Sequence, residues 1–176
     1  MKTRILKQTS LIALAAIAAL TMTFSFASGQ EVEENQSSDS LSASQRTIQG
    51  VWRTMVTPRN CQTGEPVAPP IQGLFTFNKG GTMSEYGIGP GSSPALRSPG
   101  HGLWQREHGW RDHSFKFTFL RYDASGMFIG TQKMTATLRL RARGDEFRTN
   151  SSVEAFDVNG NLVGMGCATA VGTRFE

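Results

Sequence analysis

His101, His108 and His113 lie close together in the chain, with Glu107 and Asp112 among them. Imidazoles and carboxylates at this spacing raise metal ligation, which requires two or three of them to converge on one ion at about 2 Å. On an extended strand, successive residues face opposite ways. His101 and Glu107 then share a face opposite Trp104, while His113 follows the phase of Phe115. The set diverges, so no metal site is expected. The histidines read as exposed hairpin residues, with His113 alone placed to act as a polar group at the edge of an interior. Nucleophilic catalysis has no carrier either, because the chain contains neither G-x-S-x-G nor Ser-x-x-Lys. Gln132, Glu85, Arg121 and Tyr86 are the polar groups that a cyclase or isomerase working inside an apolar enclosure would use. No motif joins them, so no catalytic residue is assigned and no cofactor is implied.

The residues that stand out are aromatic. Phe115, Phe117 and Phe119 recur at every second position, and Trp52, Phe75, Phe77, Trp104, Phe128 and Phe147 fall on matching phases of other segments. An aromatic side chain buries about 150–250 Å². These nine either fill the interior of the fold or line a cavity for a small apolar molecule. Gly50 and Gly130 keep the second reading open. In that reading the ligand meets Trp52, Phe75, Phe77, Trp104, Phe115, Phe117, Phe119, Gln132 and Met134.

The elements that must position these side chains are strands. From Thr47 onward no helical periodicity of useful length occurs; short runs with period-two alternation are separated by turn chemistry. The alternation predicts strands over 47–57, 71–78, 82–88, 101–107, 113–122, 126–142, 145–157 and 161–173. Between them lie Asn78-Lys79-Gly80-Gly81, Gly109-Trp110-Arg111-Asp112, Asp123-Ala124-Ser125-Gly126, Arg143-Gly144 and Asn159-Gly160. Asn-Gly is the strongest of these hairpin signals, because both residues tolerate positive φ.

Register can be tested on side-chain phase. With Tyr122 opposite Met127, Phe119 meets Gly130 and Phe117 meets Gln132. With Ala142 opposite Asp145, Leu140 meets Phe147 and Leu138 meets Thr149. Apolar face meets apolar face in both hairpins, and a one-residue slip would turn every side chain over. The last strand then shows Gly164, Gly166, Ala168, Ala170 and Gly172 inward, and the first shows Ile48, Gly50, Trp52, Thr54 and Val56. Small residues against large ones fill a curved interior without voids.

Antiparallel strands joined by hairpins with one apolar face bury their edges best by closing. The fold expected over 47–176 is therefore all-β: an eight-stranded antiparallel up-and-down β-barrel, with a two-sheet sandwich as runner-up. Closure makes the first and last strands neighbours. Cys61 follows the first and Cys167 lies in the last, so a disulfide between them would clamp the seam.

The N-terminus reads as a secretory signal peptide over 1–27. Lys2, Arg4 and Lys7 precede an apolar stretch from Leu11 to Leu20, and Ser25-Phe26-Ala27 supplies small residues for cleavage. Residues 28–46 are polar, acidic and Ser-rich, a disordered linker by composition. The expected location is exported, periplasmic or extracellular, with no membrane span once the leader is cut. Formal net charge is +4 for the whole chain, and 47–176 carries 14 basic against 10 acidic residues, again +4. That is too little clustered charge to neutralise several phosphates, so nucleic acid is not an expected partner. Asn35-Gln-Ser and Asn150-Ser-Ser fit glycosylation acceptors, which only a eukaryotic host would use here.

Two further segments invite a role. The long Gly/Pro/Ser connection over 87–102 suits a lid or rim, with its glycines and Arg97 as a possible anion nest. The outward face of the last strand, with Val163, Met165 and Val171, is apolar enough to be covered by the Val67–Ile71 loop or by a second copy. The chain is accordingly expected to be a monomer or a homodimer.

Gly50-Val51-Trp52 resembles the G-x-W sequence on the first strand of the lipocalin or calycin superfamily, and Arg174 resembles the arginine that lies across that tryptophan. The long connection from Pro58 to Pro70 is similar to the lid-like first loop of lipocalins. The chain lacks a T-D-Y-like segment and a C-terminal helix, and its size is closer to compact calycins such as avidin-like or fatty-acid-binding barrels. The resemblance implies an eight-stranded barrel with Trp52 at its closed end and a small hydrophobic molecule inside. Two alternatives stand beside it. One is an enzyme resembling allene-oxide-cyclase or dirigent barrels. The other resembles the small secreted metalloprotease inhibitors that use a G-x-W barrel with one disulfide.

Overall fold

The computed structural model describes residues 46–175. The leader read over 1–27 and nearly all of the linker read over 28–46 lie outside the described residues. Eight strands follow in chain order: β1 (Gly50–Arg59), β2 (Ile71–Phe77), β3 (Thr82–Ile88), β4 (Gly100–His108), β5 (Asp112–Tyr122), β6 (Phe128–Leu140), β7 (Glu146–Phe156) and β8 (Leu162–Arg174). A single 3-10 turn, Pro94–Leu96, interrupts the β3–β4 connection. Every strand pairs antiparallel with its sequence neighbours, and β8 pairs with β1 to close the barrel. The expected eight-stranded up-and-down barrel is the observed fold.

The strand limits shift where backbone geometry intervenes. β1 starts at Gly50 rather than at 47, because Gly50 sits at φ +118° and bends the chain away from the ladder. β6 starts at Phe128 because Asp123–Met127 closes the hairpin loop. In that loop Asp123 N–H donates to Met127 O at 2.9 Å and Gly126 N–H to Asp123 O at 3.0 Å. The Asp123 carboxylate accepts from the backbone of Ser125 and Met127. The β7–β8 loop repeats this design. Asp157 N–H donates to Asn161 O at 2.9 Å, and the Asp157 carboxylate accepts from Asn159 and Asn161. Asn159-Gly160 is therefore not a two-residue turn. Gly160 (φ +82°) is the last residue of a three-residue loop, as Gly126 (φ +83°) is in the other hairpin.

Each of these loops is followed by a bulge. Tyr122 pairs with Phe128 but Arg121 with Gly130, leaving Ile129 over; Phe156 pairs with Leu162 but Ala155 with Gly164, leaving Val163 over. The first bulge corrects the expected β5–β6 register. Phe119 meets Gln132 and Phe117 meets Met134, two residues along from the expected partners. An even shift preserves side-chain phase, so the phenylalanine face still points inward. Beyond the bulge the phase inverts, and Phe128 is turned outward against Tyr122, with ring centroids 6.3 Å apart. Its expected inward position is corrected accordingly. The β6–β7 pairing is as expected, with Leu140 opposite Phe147 and Leu138 opposite Thr149.

The core occupies the end where β1 begins and β8 finishes. Ile48, Trp52, Phe75, Phe77, Phe115, Leu140 and Phe147 are buried there. Trp52 packs on Phe147 with centroids 4.9 Å apart, and Phe75, Phe77 and Phe115 meet edge to face. Ala168, Ala170 and Gly172 supply the small inward surface of β8. A Cβ at Gly172 would overlap the Phe147 ring, so the smallest residue lies beneath one of the largest. Cys61 and Cys167 form a disulfide across the β1–β8 seam, with Cα atoms 5.2 Å apart.

Candidate ligand pocket at the barrel mouth

The opposite end of the barrel carries the β1–β2, β3–β4, β5–β6 and β7–β8 connections, and here the interior is not filled. A cavity of about 260 Å³ remains. Phe75, Phe117 and Phe119 form its floor and Val56, Ile71 and Met134 its apolar wall. Gln132, Glu85, Arg97 and Arg121 are its polar groups. Its cover is the β3–β4 connection, which brings Gly89, Ser92, Ser93 and Leu96 over the opening.

Local sequence explains this cover. Ser93 caps the 3-10 turn by accepting from Ala95 N–H, and Pro94 suits the first position, where no N–H is needed. Beyond the turn, Ser98 is fastened to β5: its N–H donates to Leu120 O at 3.0 Å and its Oγ accepts from Leu120 N–H at 2.9 Å. Arg97 then reaches into the barrel. Its two terminal nitrogens donate to the two carboxylate oxygens of Glu85, and Nη1 also donates to Gly87 O at 3.0 Å. The guanidinium lies over the Phe119 ring, 3.6 Å from its centroid. A fork of donors is what a carboxylate accepts best, and a planar cation stacks well on an aromatic face.

Glu85 is almost wholly buried, with 6 % of its surface exposed. Burial pushes its carboxyl above the ordinary value, and Arg97 offsets this only in part. Its space is made by glycines. A Cβ at Gly100 would lie 2.7 Å from Oε2, and one at Gly87 3.2 Å from Oε1.

The sequence-derived ligand set divides in two. Phe75, Phe117, Phe119, Gln132 and Met134 line the cavity. Trp52, Phe77 and Phe115 belong to the packed core, and Trp104 stands at the closed end, donating from Nε1 to Asn78 O at 2.9 Å. Gly50, Trp52 and Arg174 form a plug there rather than a site. Of the four groups considered for an enzyme, Glu85, Arg121 and Gln132 meet at the cavity, while Tyr86 faces outward. Both Glu85 oxygens accept from Arg97. Arg97 is held by this carboxylate rather than aimed at an open anion nest. His101 and His108 are exposed on β4, and His113 is buried on β5.

The Glu85–Arg97 pairing went unread in the sequence, yet a signal was there. Glu85 is the one acid on the inward phase of β3, and a buried acid needs a cation. Arg97 is the only cation in the loop beside it. No protein-family model matches this chain, and no curated protein sequence does either.

Proposed function

We propose that this chain is an exported, lipocalin-like barrel that takes up a small apolar molecule at its mouth. The observation that carries the reading is the division of the interior. One end is packed with rings, and the other leaves a cavity of about 260 Å³ floored by three phenylalanines and roofed by a loop. At liquid water's share of about 30 Å³ per molecule, that is room for about nine water-sized groups. Apolar walls with a few polar groups are the usual make-up of a small-molecule site. The Cys61–Cys167 disulfide supports an oxidising compartment, as the leader does.

Native mass spectrometry of protein purified from its source tests the proposal. The expected result is a retained small mass that leaves on organic extraction, together with saturable uptake of N-phenylnaphthylamine by the emptied barrel. Met134→Trp, which fills the cavity, should abolish both while the barrel stays folded. An empty mass together with absent dye uptake overturns the reading.

A further inference from the structure

The cover over the cavity has two fastenings. Residues 89–96 form the roof, and they are held by a strap at Ser98 and a clasp at Arg97. The strap belongs to the outer edge, where Ser98 N–H donates to Leu120 O, Ser98 Oγ accepts from Leu120 N–H, and Arg97 and Arg121 form an isolated bridge. The clasp runs from Arg97, at the end of the roof, back to Glu85 and Gly87 O of β3, the strand from which the roof departs.

We propose that the Glu85–Arg97 pair is the latch of a lid, and that protonating Glu85 opens the roof over the cavity while the barrel stays folded. This rests on the reading of the cavity as a ligand site.

The charge on Glu85 has few other controls. From β2 it faces Phe75, from β4 Gly100, from β1 Val56, and from β6 Gln132 and Met134. From β5 it shares the cavity with Phe117, Phe119 and Arg121. The titratable and charged side chains around it are thus Arg97 on the lid and Arg121 on β5. Losing the proton-sensitive charge leaves Arg97 with the Gly87 and Ser98 carbonyls and the Phe119 ring. A charge-assisted, two-pronged bond is replaced by neutral contacts, which are about half as strong.

The direction of the response follows from the pairing. Arg97 favours the ionised form of Glu85 while the two are joined, so a proton on Glu85 favours the state in which they are apart, and burial of the carboxyl brings that proton on more readily. Acidification therefore relieves a buried charge in the barrel at the same moment that it releases the lid. Local opening is decoupled from unfolding, which is what a gate requires.

Hydrogen exchange by mass spectrometry on the full chain tests the latch without any ligand. In Glu85→Gln at pH 7, the peptide spanning 89–99 should exchange about tenfold faster than in wild type, with strand peptides unchanged. On acidification, wild type should approach the variant once intrinsic rates are corrected. Arg97→Gln removes the same bond from the lid side and should give the same result, which keeps the test valid if Glu85→Gln does not fold. Equal protection of 89–99 in wild type and in a folded variant overturns the latch. N-phenylnaphthylamine release separates the two claims. A dye that binds wild type and leaves at the same rate from both variants overturns the gate. Absent dye uptake with faster exchange in the variants overturns the ligand reading and leaves the latch standing.

Discussion

Arg174 lays its guanidinium across the indole of Trp52, 4.3 Å from the ring centroid, while donating to the carbonyls of Thr47, Gln49 and Gly144. Trp52 in turn donates from Nε1 to Ile48 O at 2.8 Å. One side chain thus ties the entry to β1, the end of β8 and the β6–β7 loop. The strand pairing places Trp52 directly opposite Arg174.

Arg174→Met removes the cation and the donors but keeps much of the stem. It leaves three carbonyls at the closed end without partners. The expected loss is about 2–4 kcal/mol, from charge-assisted hydrogen bonds and a partly buried cation–π contact. Urea unfolding should show a lower midpoint with an unchanged slope. A midpoint like that of wild type would mean that water replaces the arginine at no loss.

The seam disulfide joins two cysteines 106 positions apart in the chain. Cys61→Ala with Cys167→Ala should lower stability by about 2–5 kcal/mol, chiefly by freeing the unfolded chain. The same decrement should appear in wild type unfolded under reductant. A reduced protein as stable as the oxidised one would show that β1–β8 pairing alone sets the closure.

His113 is buried beside Trp104, with ring centroids 5.8 Å apart, and neither of its nitrogens has a partner in good hydrogen-bond geometry. Burial holds it below its ordinary value of 6.5, and the Arg111 backbone offsets this only in part. The folded state therefore keeps it neutral while the unfolded chain takes a proton. Stability from this group is complete above pH 6.5 and falls as pH drops below it. His113→Leu should remove that acid sensitivity and gain about 1 kcal/mol at pH 7, since orphaned polar atoms are replaced by apolar ones. Glu85 contributes with the opposite sign, so Glu85→Gln should steepen the loss on acidification that His113→Leu flattens.

Gly172 lies beneath the ring of Phe147. Gly172→Val forces a clash in the best-packed layer and should destabilise the barrel by about 3 kcal/mol or more. Adding Phe147→Leu should restore part of that loss, a coupling that thermal melts of the two single variants and the double variant would measure. Additive losses would place the clash elsewhere.

Much of this was legible in the sequence. Phase alone put Phe115, Phe117, Phe119, Leu138, Leu140 and Phe147 inside, and the Ala142–Asp145 register predicted the Leu140–Phe147 pair. Period-two alternation survives any even slip, which is why the face was correct when the β5–β6 partners were not. Phe128 was misplaced because a bulge has no residue signature of its own: Ile129 looks like any strand residue. Four of the nine candidate ligand residues, Trp52, Phe77, Trp104 and Phe115, lie away from the cavity for a related reason. Phase tells inside from outside but not one end of a barrel from the other. Arg97 was legible only in part: it is the one cation in the loop beside an inward acid, but its reach to Glu85 depends on where Ser98 fastens.

The ladder has a property that the linear chain conceals. Each ribbon bonds only to the ones before and after it, and the eighth bonds to the first. Thr47 and Arg174 are already in hydrogen-bond contact. The ring has no intrinsic beginning. A short bridge between Thr47 and Arg174, with the backbone cut instead in the 62–65 stretch, would yield a circular permutant that keeps all eight strand ladders.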